Sequence, residues 1–220
     1  MNKPVLTLLL LCLRVCLPGH AQVTHPEQYK SLEILAEATG DLDKDGIPEK
    51  VVVYNTSRKT GEGNIRQLHI YKRKGKEWQV WQTSENAVLR SEEGDMMGDP
   101  FEGIAIESGI LKIHHFGGSS WKWRETHKYR FQNGDFFLIG RTSVYGKPCE
   151  YFTKSDFNLS TGRVSYEKQY EECDGDGEQV SSNVEKEAFT HKLAKLPTLG
   201  NVTFGKHKLV SPQLKAEIYY

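Results

Sequence analysis

The sequence predicts an all-β or mainly β fold, an antiparallel hairpin meander arranged as a propeller-like stack, a barrel or a sandwich. Three observations carry this expectation. Apolar and polar residues alternate along short runs, turn-forming pairs separate those runs, and no long segment has helical periodicity. In "RQLHIYKRKGKEWQVWQ", Leu68 and Ile70 precede Lys74-Gly75, and Trp78 and Val80 follow it. "FEGIAIESGILKIHHF" repeats the device around Ser108-Gly109, and "YFTKSDFNLSTGRVSYEKQY" turns at Ser160-Thr161-Gly162. The strongest hairpin signal is Asn133-Gly134, because both residue types tolerate the positive φ of a tight two-residue turn. A helical turn is expected around Pro26 to Lys30. From Cys173 to about Lys192 the chain is polar and poorly patterned, which predicts a loop before a short apolar ending from Leu196 to Leu209.

The opening "MNKPVLTLLLLCLRVCLPGHA" has Lys3, an apolar run from Val5 to Leu17, the breaker Pro18 and small residues at Gly19 and Ala21. That order predicts a secretory signal peptide at 1–21, cleaved after Ala21. The run is shorter than the roughly 20 apolar residues of a bilayer span, and Arg14 interrupts it. Residues 22–220 are then expected to form a single β-rich domain, periplasmic or secreted, with no membrane span after cleavage. Cys12 and Cys16 leave with the leader. The remaining pair, Cys149 and Cys173, is expected to form one disulfide in an oxidising compartment, since its spacing matches no CxxC thiol motif. The full chain balances 29 basic against 29 acidic residues, and nothing in that balance suggests a nucleic-acid partner.

One stretch concentrates charge. "GDLDKDGIPEKVVVY" sets Asp41, Asp43, Asp45 and Glu49 at relative positions one, three, five and nine, with Gly46 at six and the Ile47 carbonyl at seven. Alternating oxygen donors around a glycine suit a chain curling about a hard cation. Without an ion, like charges this close repel by about 1 kcal/mol per pair even in water. An all-oxygen set in a flexible loop favours calcium over zinc or magnesium. A helical calcium hand is excluded, because position twelve is Val52 in a strand-forming run. The stretch resembles the calcium loops of integrin-type FG-GAP and VCBS repeats, whose DxDxDGxxD motif lies in a β-hairpin of a propeller blade. Here Glu49 stands in the last position. That resemblance implies side-chain ligation by Asp41, Asp43, Asp45 and Glu49, carbonyl ligation by Ile47, and an exported bacterial-type protein. It covers about 15 residues and one copy, the Phe-Gly and Gly-Ala-Pro signatures are missing, and "CDGDGE" at 173–178 is at most a half-copy.

"SSWKWRETHKYRF" places Trp121, Trp123, Glu125, His127, Tyr129 and Phe131 on one strand face and Lys122, Arg124, Lys128 and Arg130 on the other. The aromatic face is expected either to pack a core or to offer Trp121, Trp123 and His127 as a sugar-binding platform. His114, His115 and His127 do not make a zinc motif, since neighbours on a strand point opposite ways. The functional expectation is an exported, calcium-stabilised, non-enzymatic domain that binds an envelope glycan or protein. The alternatives are a hydrolase of a cell-surface polymer, using Glu125 or His127, and an inhibitor or immunity-type partner of a secreted enzyme.

Overall fold

The computed structural model describes residues 32–173 and 179–220. The expected leader, the turn at 26–30 and most of the acidic half-copy lie outside the described residues. Strands β1 (Glu33–Gly40), β2 (Glu49–Thr60), β3 (Gly63–Lys74) and β4 (Glu77–Ser84) form a four-stranded sheet in chain order. Strands β5 (Phe101–Glu107), β6 (Ile110–Gly118), β7 (Lys122–Gln132), β8 (Asp135–Lys147), β9 (Tyr151–Asn158), β10 (Arg163–Cys173) and β11 (Gln179–Thr190) form a seven-stranded sheet, also in chain order. A small hairpin of β12 (Lys208–Val210) and β13 (Glu217–Tyr219) ends the chain. Every strand pair among the described residues is antiparallel, as a meander requires. The barrel alternative is not realised, because β5 and β11 end the sheet without pairing to each other.

The predicted turns close where the sequence places them. Asn133 and Gly134 have φ of 50° and 85°, and Ser108 and Gly109 have 53° and 75°. Two successive left-handed residues give the turn whose twist matches that of the strands it joins. The sheets share one core: Val51, Val53, Leu68 and Ile70 from the smaller pack with Leu111, Ile113, Tyr129, Leu138, Phe157 and Val164 from the larger. Where β1 meets β5, a Cβ on Gly40 would lie 2.5 Å from Ile106 Cγ2, so only glycine allows this approach. Leu199, Val202, Leu209 and Ile218 from the C-terminal segment complete the core.

One expectation is corrected. Residues 179–190 are strand β11, paired with β10 from Gln179 to Thr190, and not a loop. Its pattern is hard to read because the sheltered positions carry glutamates. Glu187 is buried and accepts the backbone amides of Gln213 and Leu214, both at 2.9 Å, while Glu185 accepts the Tyr170 hydroxyl at 3.2 Å. Burial opposes the Glu187 charge, but those two amides and the Ser211 hydroxyl hold its carboxyl below the usual range.

Cys149 and Cys173 form the expected disulfide, with Cα atoms 5.2 Å apart, and tie the β8–β9 turn to the end of β10. It closes a separation of 24 residues, which in the chain-entropy view stabilises the fold by about 3 kcal/mol. The Cys149→Ser, Cys173→Ser double variant should lose about that much in urea unfolding. An unchanged midpoint and slope would show that the bridge adds nothing. No helix among the described residues is long and apolar enough to cross a membrane.

Candidate functional site

The acidic loop joins β1 to β2 and is held by its own side chains. Asp41 Oδ2 accepts the Gly46 amide at 3.0 Å, Asp43 Oδ1 the Asp45 amide at 3.4 Å, and Asp45 Oδ1 the Ile47 amide at 2.7 Å. Gly46 has φ of 85°, the sharp bend expected of it. Asp41, Asp43 and Glu49 each offer an oxygen within 4.8 Å of the others. Asp45 is outside this cluster. The Ile47 side chain is exposed.

Two groups define the electrostatics of the loop. Glu49 is 1% exposed, and burial pushes its carboxyl pKa up although the Leu42 amide, 2.7 Å from Oε2, works the other way. Lys72 of β3 reaches in as a counter-cation: its Nζ pairs with Asp43 and lies 3.6 Å from Asp45 and 3.9 Å from Glu49. The Asp43 hydrogen bond raises the Lys72 pKa, and the Trp81 ring, 4.4 Å from Nζ, backs the ammonium. Sequence reasoning missed Lys72, which is 29 positions from Asp43. The donor set suits a hard dication: all are oxygens, and Asp41 Oδ1 is buried with no hydrogen-bond partner among the described residues.

A second site lies on the inner face of the large sheet, where the apolar core gives way to polar side chains. Register builds it. Trp123 pairs with Tyr145 and Glu125 with Ser143 across β7 and β8; Tyr145 then meets Thr153 and Ser143 meets Ser155 on β9. Thr153 and Ser155 in turn oppose Lys168 and Tyr166 on β10. These residues line a cleft of about 580 Å³ whose far side is Phe204, Gly205 and Glu217 to Tyr219. Its rings are Trp123, Tyr145, Tyr151, Tyr166, Phe204 and Tyr219, and its hydroxyls include Ser143, Thr153 and Ser155. An Arg141–Glu125 ion pair forms part of the wall. The Trp123 indole sits against Gly117 of β6, where a Cβ would be 2.4 Å from the ring.

Trp121 and Trp123 are both half-buried, between core and free surface. Trp121 extends the aromatic rim, stacked on Tyr145 at 5.3 Å between centroids and 11° between planes, and 4.8 Å from Tyr151. His127 is placed differently: it is 1% exposed, 4.4 Å from the Phe204 ring, with Nε2 3.5 Å from Glu125 Oε2. It sits behind Glu125 and does not line the cleft. His115 lies 5.9 Å from it and accepts the Leu89 amide at 3.2 Å. Burial lowers the pKa of His115 to about 3, and it drives His127 well below its ordinary value, with His115 and Arg141 adding to the effect. His114 bonds Thr126 instead, so the three histidines do not converge.

Arg141, Tyr145, Tyr151, Tyr166 and Lys168 were not singled out from sequence. Their signal is an aromatic or polar residue at alternate positions of β8, β9 and β10, and only strand register joins them. No family model, no curated protein and no solved structure matches the chain.

Proposed function

We propose that the chain is an exported, calcium-stabilised β-domain that binds an envelope glycan in the cleft beside Trp123. The observation that carries this reading is the cleft itself: ring faces and hydroxyl groups line one concavity of about 580 Å³. Sugar rings present an apolar face of C–H groups and an edge of hydroxyls, so a site pairing aromatic rings with hydrogen-bonding side chains matches both. The strands that carry these side chains make a rigid floor, and the disulfide ties one end of it. Arg141 occupies Glu125 and His127 is shut behind Phe204, which favours retention over hydrolysis.

In the same reading Asp41, Asp43 and Glu49 hold calcium, which supplies charge neutralisation at the β1–β2 bend. The unsatisfied Asp41 Oδ1 and the buried Glu49 carboxylate support this assignment. The single disulfide agrees with export to an oxidising compartment.

The test is a titration of neutral oligosaccharides followed by tryptophan fluorescence and calorimetry. Trp123→Ala should weaken binding at least tenfold, about 1.4 kcal/mol, while Trp78→Ala on β4 should leave it unchanged. Equal affinities for wild type and Trp123→Ala would overturn the cleft as the binding site.

A further inference from the structure

We infer that the glycan taken by the cleft is acidic, a sugar bearing a carboxylate, and that Lys168 reads that charge. This deepens the proposed glycan reading and rests on it. The inference comes from the balance of charge around the cleft. Two of its ionic groups are neutralised within the protein: Glu125 by Arg141, and Glu217 by Lys208 at 2.6 Å together with the Tyr219 hydroxyl at 2.8 Å. Lys168 is the exception. Among the described residues, no carboxylate lies within ion-pair distance of its ammonium.

Two rings hold that ammonium instead. Its Nζ lies 4.1 Å from the Tyr151 ring centre and 4.4 Å from that of Tyr170. Ring faces attract a cation but leave its N–H donors without strong acceptors. Tyr151 and Lys168 both line the cleft, so the unspent donors stand beside the place a sugar ring would occupy. The nearest glutamate across β11, Glu185, faces Lys168 in register yet accepts the Tyr170 hydroxyl. A half-buried ammonium between two rings is partly shielded from solvent, which strengthens its pairing with an incoming carboxylate relative to one in open water. Lys147, 5.9 Å from the Trp121 ring, adds positive potential along the same rim, though Glu150 pairs with it at 3.3 Å.

The experiment compares two trisaccharides of one backbone by calorimetry at fixed calcium and low salt: a β-1,4-linked glucuronic acid trisaccharide and cellotriose, which differ in having a carboxylate or a hydroxymethyl group. Wild type should bind the acidic sugar about tenfold more tightly, and the preference should shrink as salt is raised. Lys168→Gln should bring the acidic sugar down to the affinity of cellotriose and leave cellotriose binding unchanged. Lys168→Arg should keep the preference. Equal affinity of wild type for both sugars would overturn the acidic assignment, and a preference that persists in Lys168→Gln would overturn the role of Lys168; either result leaves the cleft reading intact. No binding of either sugar by wild type that melts as a folded protein would overturn the cleft reading itself.

Discussion

Lowering the pH from 7 to about 4.5 should cost the fold about 3 kcal/mol through His115 alone, with His127 adding a loss of the same sign. In the unfolded chain each imidazole takes up a proton below about pH 6.5. In the folded chain His115 stays neutral until about pH 3, because it is sealed among apolar and aromatic side chains. Between those values the unfolded state binds the extra proton, so stability is full above pH 6.5 and falls steadily as the pH drops toward 3. Urea unfolding at half-unit pH steps measures this. His115→Gln preserves an acceptor for the Leu89 amide but does not titrate, so between pH 6 and 4.5 its slope should be shallower by about 1.4 kcal/mol per pH unit. The carboxylates contribute alike to both proteins and drop out of the difference. Parallel slopes would mean that His115 is protonated in the folded state.

Calcium at about a thousand times its dissociation constant should stabilise the protein by about 4 kcal/mol, a rise of about 10 °C in melting temperature for a chain of this length. In the proposed reading Asp41, Asp43 and Glu49 would hold the ion, so Asp43→Ala should remove most of the shift. Lys72 gives the effect its shape. Its ammonium partly neutralises the cluster, and a dication would have to displace it. Lys72→Met should therefore lower calcium-free stability while tightening calcium binding. If differential scanning calorimetry finds the same melting temperature in calcium and in chelator, the loop is an acidic turn closed by lysine.

The acidic loop could be read from sequence because its carboxylates are neighbours: a spacing of two residues and one glycine encode it locally. The hairpins were legible for the same reason, as Asn133-Gly134 and Ser108-Gly109 announce their own φ values. Strand β11 was not, since Glu185 and Glu187 occupy sheltered positions where alternation predicts apolar residues, and their partners lie on distant or unpatterned segments. The cleft was half legible. Trp121 and Trp123 stand out in one strand, but Arg141, Tyr151 and Lys168 join them only through the registers of β8, β9 and β10, which no short motif records. His127 shares the strand face of Trp123 and yet lies sealed from the cleft, because Phe204 from the C-terminal segment closes over it. Alternation gives the face of a side chain, and the rest of the chain decides whether solvent reaches that face.

The most direct measurement is a crystal structure of the protein soaked with the glucuronic acid trisaccharide in the presence of calcium. A sugar ring should lie against the Trp123 indole with its carboxylate turned to Lys168. A trisaccharide bound on another surface, with only solvent in the cleft, would contradict the assignment.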